Sequence, residues 1–222
     1  MSDQTTLSRR ERERSMRRQA MLDAARAVFA EKGYRQATLE EIAETAEFGK
    51  GTLYNYFDGG KEELLFAVLD NVYDTLCNLT DDILRPEQLQ EQSIQELFRG
   101  YFSEIIGHLM EHRDLFMLLI KEGQRMAFDE EQEKVEYFQR QNQRLKEQLL
   151  PTIERGIARG CLKPFPPQII ASAILGNMNG YLMEVCCRDE KLGEAMDHPD
   201  AEQAAEFITT MLFDGLSTGS ER

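Results

Sequence analysis

Residues 49–57 read GKGTLYNYF, which places an ammonium group, two hydroxyl-bearing side-chain types and an amide within nine positions. Groups of this kind hydrogen-bond phosphates and base edges. A nucleotide-cradling loop is excluded. That motif needs G-x-x-x-x-G-K-[ST] after a strand, whereas Lys50 is followed by Gly51 and position 44 is Glu. A strand is excluded because no partner strand is legible to satisfy its backbone. Read as a helix, Leu53 and Phe57 share one face at i, i+4 and can dock inward. Gly51, Thr52 and Asn55 then lie on the opposite face, flanked by Tyr54 and Tyr56, with Lys50 at the N-terminal end. The bland alternative is that the two tyrosines pack between helices.

Other chemistry is sparser. Glu104, His108 and His112 fall at i, i+4, i+8, a spacing that can hold a metal. The ordinary reading is a solvated helix edge with His112 beside the C-terminal dipole, and no metal is expected. Four cysteines, Cys77, Cys161, Cys186 and Cys187, show no CxxC pattern and read as reduced thiols, with the adjacent pair a candidate redox sensor. Lys121, Glu122 and Arg125 sit in an apolar helix, where they orient a polar ligand or pair with one another. A Ser/His/Asp set and a dinucleotide fingerprint are both missing, so neither catalysis nor a cofactor is expected. A helical redox sensor, metal sensor or enzyme is the competing class.

These residues need elements to hold them. A first helix is predicted from about 14 to 32, with Met21, Ala24, Ala25, Val28 and Phe29 on one face and Gly33 ending it. Thr38-Leu-Glu-Glu41 is a capping box that opens a second helix of about nine residues. A helix so short must pack on neighbours. GKGTLYNYF follows, then Asp58-Gly59-Gly60, then a long amphipathic helix beginning KEELL. Ser93 to Glu96 is another capping box, opening a helix to about 112. Further helices are expected at about 114–128, at 130–159 interrupted only by Pro151, at 168–188 and at 200–216. The class is all-α, about nine helices.

Length and charge bound the rest. The chain has 222 residues, 41% hydrophobic and 30% charged, with a net charge of −14. Among residues 1–61 the 11 basic and 10 acidic side chains nearly cancel, while 62–222 carry 15 against 30. An acidic body discourages non-specific DNA sticking and leaves one face able to approach phosphates. The stretch RRERERSMRR (9–18) holds six arginines and two glutamates. It reads either as a frayed, solvated helix start or as an arm reaching phosphates or a minor groove. No apolar run approaches the length of a membrane span, and the N-terminus has no apolar segment after its basic residues. A cytoplasmic protein with no membrane partner is expected.

A capped short helix, a turn and a second short helix, braced by a longer one, make a helix-turn-helix. Here LDAARAVFAEKGY (22–34), TLEEIAETA (38–46), GKGTLYNYF (49–57) and KEELL (61–65) resemble the tetracycline-repressor-like (TetR) transcriptional regulators. Beyond residue 65 the likeness rests on helical layout, length and the run GIARGCL (156–162). The resemblance implies a three-helix DNA-binding domain at 1–65 and a helical effector-binding and dimerisation domain at 66–222. It implies double-stranded operator DNA, a small-molecule effector and a homodimer through the helices at 168–188 and 200–216. The implied function is a ligand-responsive regulator, foremost a repressor released from a palindromic operator. Thr38 would touch phosphate, Lys50, Gly51, Thr52 and Tyr54 would face bases or nearby backbone, and Tyr56 and Lys61 would clamp phosphates. Phe102, Ile105, Phe116, Leu119, Met126 and Met178 are candidate pocket residues. Two departures stand out: Glu47 replaces the usual turn glycine, so Gly49 is expected to supply the turn's flexibility. The Asp58–Gly60 link is one residue longer than usual before Lys61. A helical dimer that has lost DNA binding is the third reading.

Overall fold

The computed structural model describes residues 8–192 and 200–216, with side chains described for 8–184 and 200–213; the Cys186–Cys187 pair lies outside the latter. The helices are α1 (Arg9–Gln36), α2 (Leu39–Thr45), α3 (Lys50–Tyr54), α4 (Gly60–Ile83), α5 (Ile94–Glu111), α6 (Arg113–Ala127), α7 (Gln132–Ala158), α8 (Pro167–Leu192) and α9 (Ala201–Leu216). A 3-10 turn covers Pro86–Gln90, and there is no strand among the described residues. The chain forms two compact units, Met1–Val72 and Tyr73–Arg222. The expected domain boundary at 65/66 falls earlier, inside α4.

In the first unit, α1 starts five residues before the predicted position. Ser8 forms a capping box with Glu11: the Glu11 N–H donates to Ser8 Oγ and the Ser8 N–H to the Glu11 carboxylate. The arginine-rich stretch is therefore helical from Arg9, with Arg9 paired to Glu13 at 3.0 Å. Gly33 breaks the helix as expected, taking φ +75°, and one further turn ends at Gln36. Thr38 caps α2 in the predicted box. The core of this unit is the apolar faces read from the sequence: Met21, Ala25 and Phe29 of α1, Ile42 of α2, then Leu53, Phe57, Leu64 and Leu65, all essentially fully buried.

The second unit packs α5 against α9 and α7 against α8, with α6 on α7. Phe98, Tyr101, Phe102 and Phe213 form an aromatic cluster, with Phe98 and Phe213 ring centroids 5.4 Å apart. Burial pushes the Tyr101 phenol up to about 12. The helix α7 runs through Pro151 without a break. Its end packs closely at a glycine: a Cβ on Gly156 would stand 2.3 Å from Ile94 Cδ1, so the buried Ile94 side chain would have to shift to admit one. Residues 156–162, GIARGCL, then form a Schellman turn, with Cys161 N–H donating to Gly156 O, Gly160 N–H to Ile157 O, and Gly160 at φ +75°.

Candidate nucleic-acid interface and ligand cavity

The turn between α2 and α3 repeats that Schellman geometry with a different residue at its centre. Phe48 N–H donates to Ala43 O at 2.9 Å and Glu47 N–H to Glu44 O at 3.0 Å. Glu47 itself takes φ +58°, the left-handed region usually held by glycine. Gly49 sits in ordinary extended backbone as the α3 N-cap. The expectation that Gly49 supplies the flexibility is therefore corrected: the two turn hydrogen bonds hold Glu47 in the strained conformation.

The α3 helix is five residues long, and the chain continues through Asn55 to Phe57 with helix-like hydrogen bonds to Thr52 and Leu53. Leu53 and Phe57 are fully buried, as their spacing predicts. Lys50, Gly51, Tyr54 and Asn55 are exposed and Thr52 is half-buried. A Cβ on Gly51 would meet nothing, so this face is open. Tyr54 is 41% exposed, unusual for so large a ring. Tyr56 is half-buried, and the Arg14 guanidinium lies 5.5 Å from its centroid. Arg18 stacks over Phe57 at 5.0 Å. This places part of the arginine stretch beside α3, a link that its sequence position does not reveal.

Three of the expected DNA contacts are engaged within the protein. The Thr38 N–H and O–H both donate to Glu41 Oε2, at 3.0 and 2.9 Å. Lys50 pairs with Glu40, which holds the Glu40 carboxyl below its ordinary range. Lys61 Nζ donates to the carbonyls of Ala37 at 2.9 Å and Arg35 at 3.3 Å and lies over the Tyr34 ring. Glu41, which also accepts from Lys32 at 2.6 Å, is pulled down to about 2 by Lys32 and Thr38.

In the second unit, residues of α4, α5, α6, α7 and α8 line a partly open cavity of about 620 Å³. That volume is within the range of small-molecule sites. Phe116, Leu119 and Met178 line it. Phe102, Ile105 and Met126 do not: each is buried core, and Phe102 is taken by the aromatic cluster. The lining residues also include Tyr73, Gln124, Gln139, Asn142, Lys146 and Asn179. Gln139, Asn142 and Lys146 recur at i, i+3, i+7 along α7, the one signal that could have marked them in the sequence. Of Lys121, Glu122 and Arg125, the last two pair at 2.7 Å with Glu122 buried, while Lys121 is exposed.

The second unit also leaves apolar groups outside. Ala204, Ala205, Ile208 and Leu212 of α9 are buried, but Phe207 and Met211 are 61% and 47% exposed. On α8, Ile170, Ala171 and Ile174 are buried, while Ile169, Gly176 and Gly180 are exposed.

The first unit thus has the parts of a helix-turn-helix, with a short second helix whose outer face is polar, aromatic and open. Its class is that of the helix-turn-helix DNA-binding regulators. Residues 21–68 match the model of the bacterial regulatory proteins of the tetR family. The chain is 30% identical over 148 residues to the HTH-type transcriptional repressor KstR2 of Mycobacterium tuberculosis, covering 67% of this chain and 70% of that one. It is 27% identical over 159 residues to the HTH-type transcriptional regulator YhgD of Bacillus subtilis, covering 72% and 78%. Its fold is similar to that of the regulator FadR from Bacillus subtilis, solved in complex with stearoyl-CoA, with a TM-score of 0.71, 19% identity and coverage of 89% and 98%. The chain belongs to the tetR family and is a DNA-binding transcriptional regulator.

Proposed function

We propose that the protein is a ligand-released repressor that reads a palindromic operator with α3. The observation that carries this is the division of GKGTLYNYF into a fully buried face, Leu53 and Phe57, and an open face bearing Lys50, Gly51, Thr52, Tyr54 and Asn55. Tyr54, Thr52 and Asn55 reach base edges or adjacent phosphates, and Tyr56 supports that edge with Arg14 over its ring. Lys50 exchanges its ion pair with Glu40 for a phosphate, since an exposed pair is weak. Thr38 and Lys61 contact phosphate only by redirecting donors from Glu41 and from the α1 carbonyls. They are the weaker contacts. Domain 1–65 is thus the reading module and 66–222 the sensing and dimerising one, with the functional boundary inside α4.

The homodimer forms through the outward rows of α8 and α9, Ile169, Gly176 and Gly180 with Phe207 and Met211. Gly176 and Gly180 are one helical turn apart, and a Cβ on either would meet nothing within the protomer. Two reading helices then meet two half-sites about one DNA turn apart, or a multiple of it. The effector is an amphipathic small molecule that fills the α4–α8 cavity. Phe116, Leu119 and Met178 take its apolar body, and Asn142, Gln139 and Lys146 take its polar groups. FadR, solved with stearoyl-CoA, supports an effector of this type on a related fold. Binding favours a conformation that no longer matches the operator spacing. The protein acts in the cytoplasm; no helix among the described residues is long and apolar enough to cross a membrane.

Gel shifts on the DNA upstream of its own gene test this reading. A sequence-specific complex is expected, dispersed by an effector that protects the second unit from heat. The absence of any specific complex at modest salt overturns it.

A further inference from the structure

We propose that His108, Glu111 and His112 form a binding site for a divalent transition-metal ion at the corner between α5 and α6. One imidazole or carboxylate atom from each lies within 4.8 Å of the others. The two imidazoles are edge to face, with centroids 4.7 Å apart. This is not the Glu104–His108–His112 set that spacing alone suggests. The α5 helix ends at Glu111, and His112 leaves it at φ −115°, ψ 41° before α6 begins at Arg113. That exit brings His112 beside Glu111 as well as His108, and Glu104, a turn further back, is outside the group.

The chemistry of the donors fits a borderline ion. Imidazole suits zinc, nickel, copper and iron. Two imidazoles and one carboxylate make a three-ligand set that leaves positions for water. In a tetrahedral site with ligand bonds near 2.1 Å the donor atoms stand about 3.4 Å apart. Donor atoms already within 4.8 Å of one another stand close to that spacing. Glu111 is exposed and His108 only half-buried, so an ion can enter without unfolding. The last carbonyls of α5 add a favourable field for a cation. The corner also adjoins the cavity in sequence and space: Leu109, between the ligands, and Phe116, one turn beyond them, both line it. An ion that fixes this corner restrains one wall of the cavity.

The competing donors are thiols. Titrating the full-length protein with cobalt(II) chloride, then displacing cobalt with zinc chloride, distinguishes the two. One equivalent of cobalt is expected to bind with visible d–d bands and without thiolate charge transfer, and to raise the melting temperature. His112→Ala is expected to weaken binding at least about tenfold, because even outer-shell changes cost 10–100-fold. Glu111→Gln should weaken it in the same direction, and the His108→Ala/His112→Ala double variant should abolish it. The metal-free variants should melt like the parent. Thiolate charge transfer, unchanged titration in the double variant, or no saturable binding below millimolar cobalt would each overturn the proposal.

Discussion

Tyr54 shows what a single residue can be asked to do. Its ring is 41% exposed beside a fully buried Leu53, so it contributes little to the core and much to the open face. Tyr54→Ala should therefore lower specific operator affinity about tenfold, a loss of about 1–2 kcal/mol at one reading position. The unfolding midpoint should stay unchanged. Equal loss on specific and non-specific DNA would instead make Tyr54 a general backbone contact. Glu47 poses the opposite case. A side chain in the left-handed region costs about 1–2 kcal/mol, while glycine loses about 0.5–1 kcal/mol more on ordering. Glu47→Gly is thus expected to stabilise the protein by roughly 0.5–1 kcal/mol in urea melts. Gly160 holds the same place in the α7 turn, which shows what the fold prefers there.

At the level of elements, α2 depends on its cap. The Glu41 carboxyl closes the box with Thr38 and accepts from Lys32, and its folded value near 2 lies below the ordinary 4.5. A depressed carboxylate contributes stability above its unfolded value and loses it as pH falls toward the folded one. Glu41→Gln should therefore lower the melting temperature at pH 7. The gap between variant and parent should close as pH falls from about 4.5 to about 2. A gap that persists at the acid end would refute the assignment. The α7 helix is limited by space rather than charge. Gly156→Ala puts a Cβ 2.3 Å from Ile94 Cδ1, a side-chain end that must move within a buried site, and the strain is expected to cost about 1 kcal/mol, the low end for overpacking. Chemical denaturation should show that loss with DNA contacts intact.

For the molecule as a whole, the proposed dimer joins the charge division to the outward apolar rows. Residues 62–222 carry 30 acidic against 15 basic side chains, which discourages DNA contact outside the nearly neutral residues 1–61. A single copy of α3 offers few contacts, and operator affinity then depends on pairing two copies. Phe207→Glu places a charge on the outward α9 row. It should convert the proposed dimer to monomer in sedimentation and weaken operator binding far more than non-specific binding. A variant that stays dimeric would move the interface elsewhere.

Local chemistry was legible in the sequence wherever a rule acts over three or four residues. The capping boxes at Thr38 and Ser93, the break at Gly33 and the inward pair Leu53–Phe57 all follow from spacing, because helix geometry sets which side chains meet. The start of α1 obeys the same rule through Ser8 and Glu11, but apolar spacing places it near 14 because the first turns bury nothing. The all-α class and the two faces of α3 therefore belong to the sequence. Tertiary structure alone decided which donors were already engaged: Lys61 on carbonyls 24 and 26 residues away, Lys50 on Glu40, Arg14 over Tyr56. It alone separated cavity wall from core, turning Phe116 toward the cavity and Phe102 into an aromatic cluster. Both are apolar residues on helix faces, and only the neighbouring helix determines whether an apolar face meets another side chain or a space.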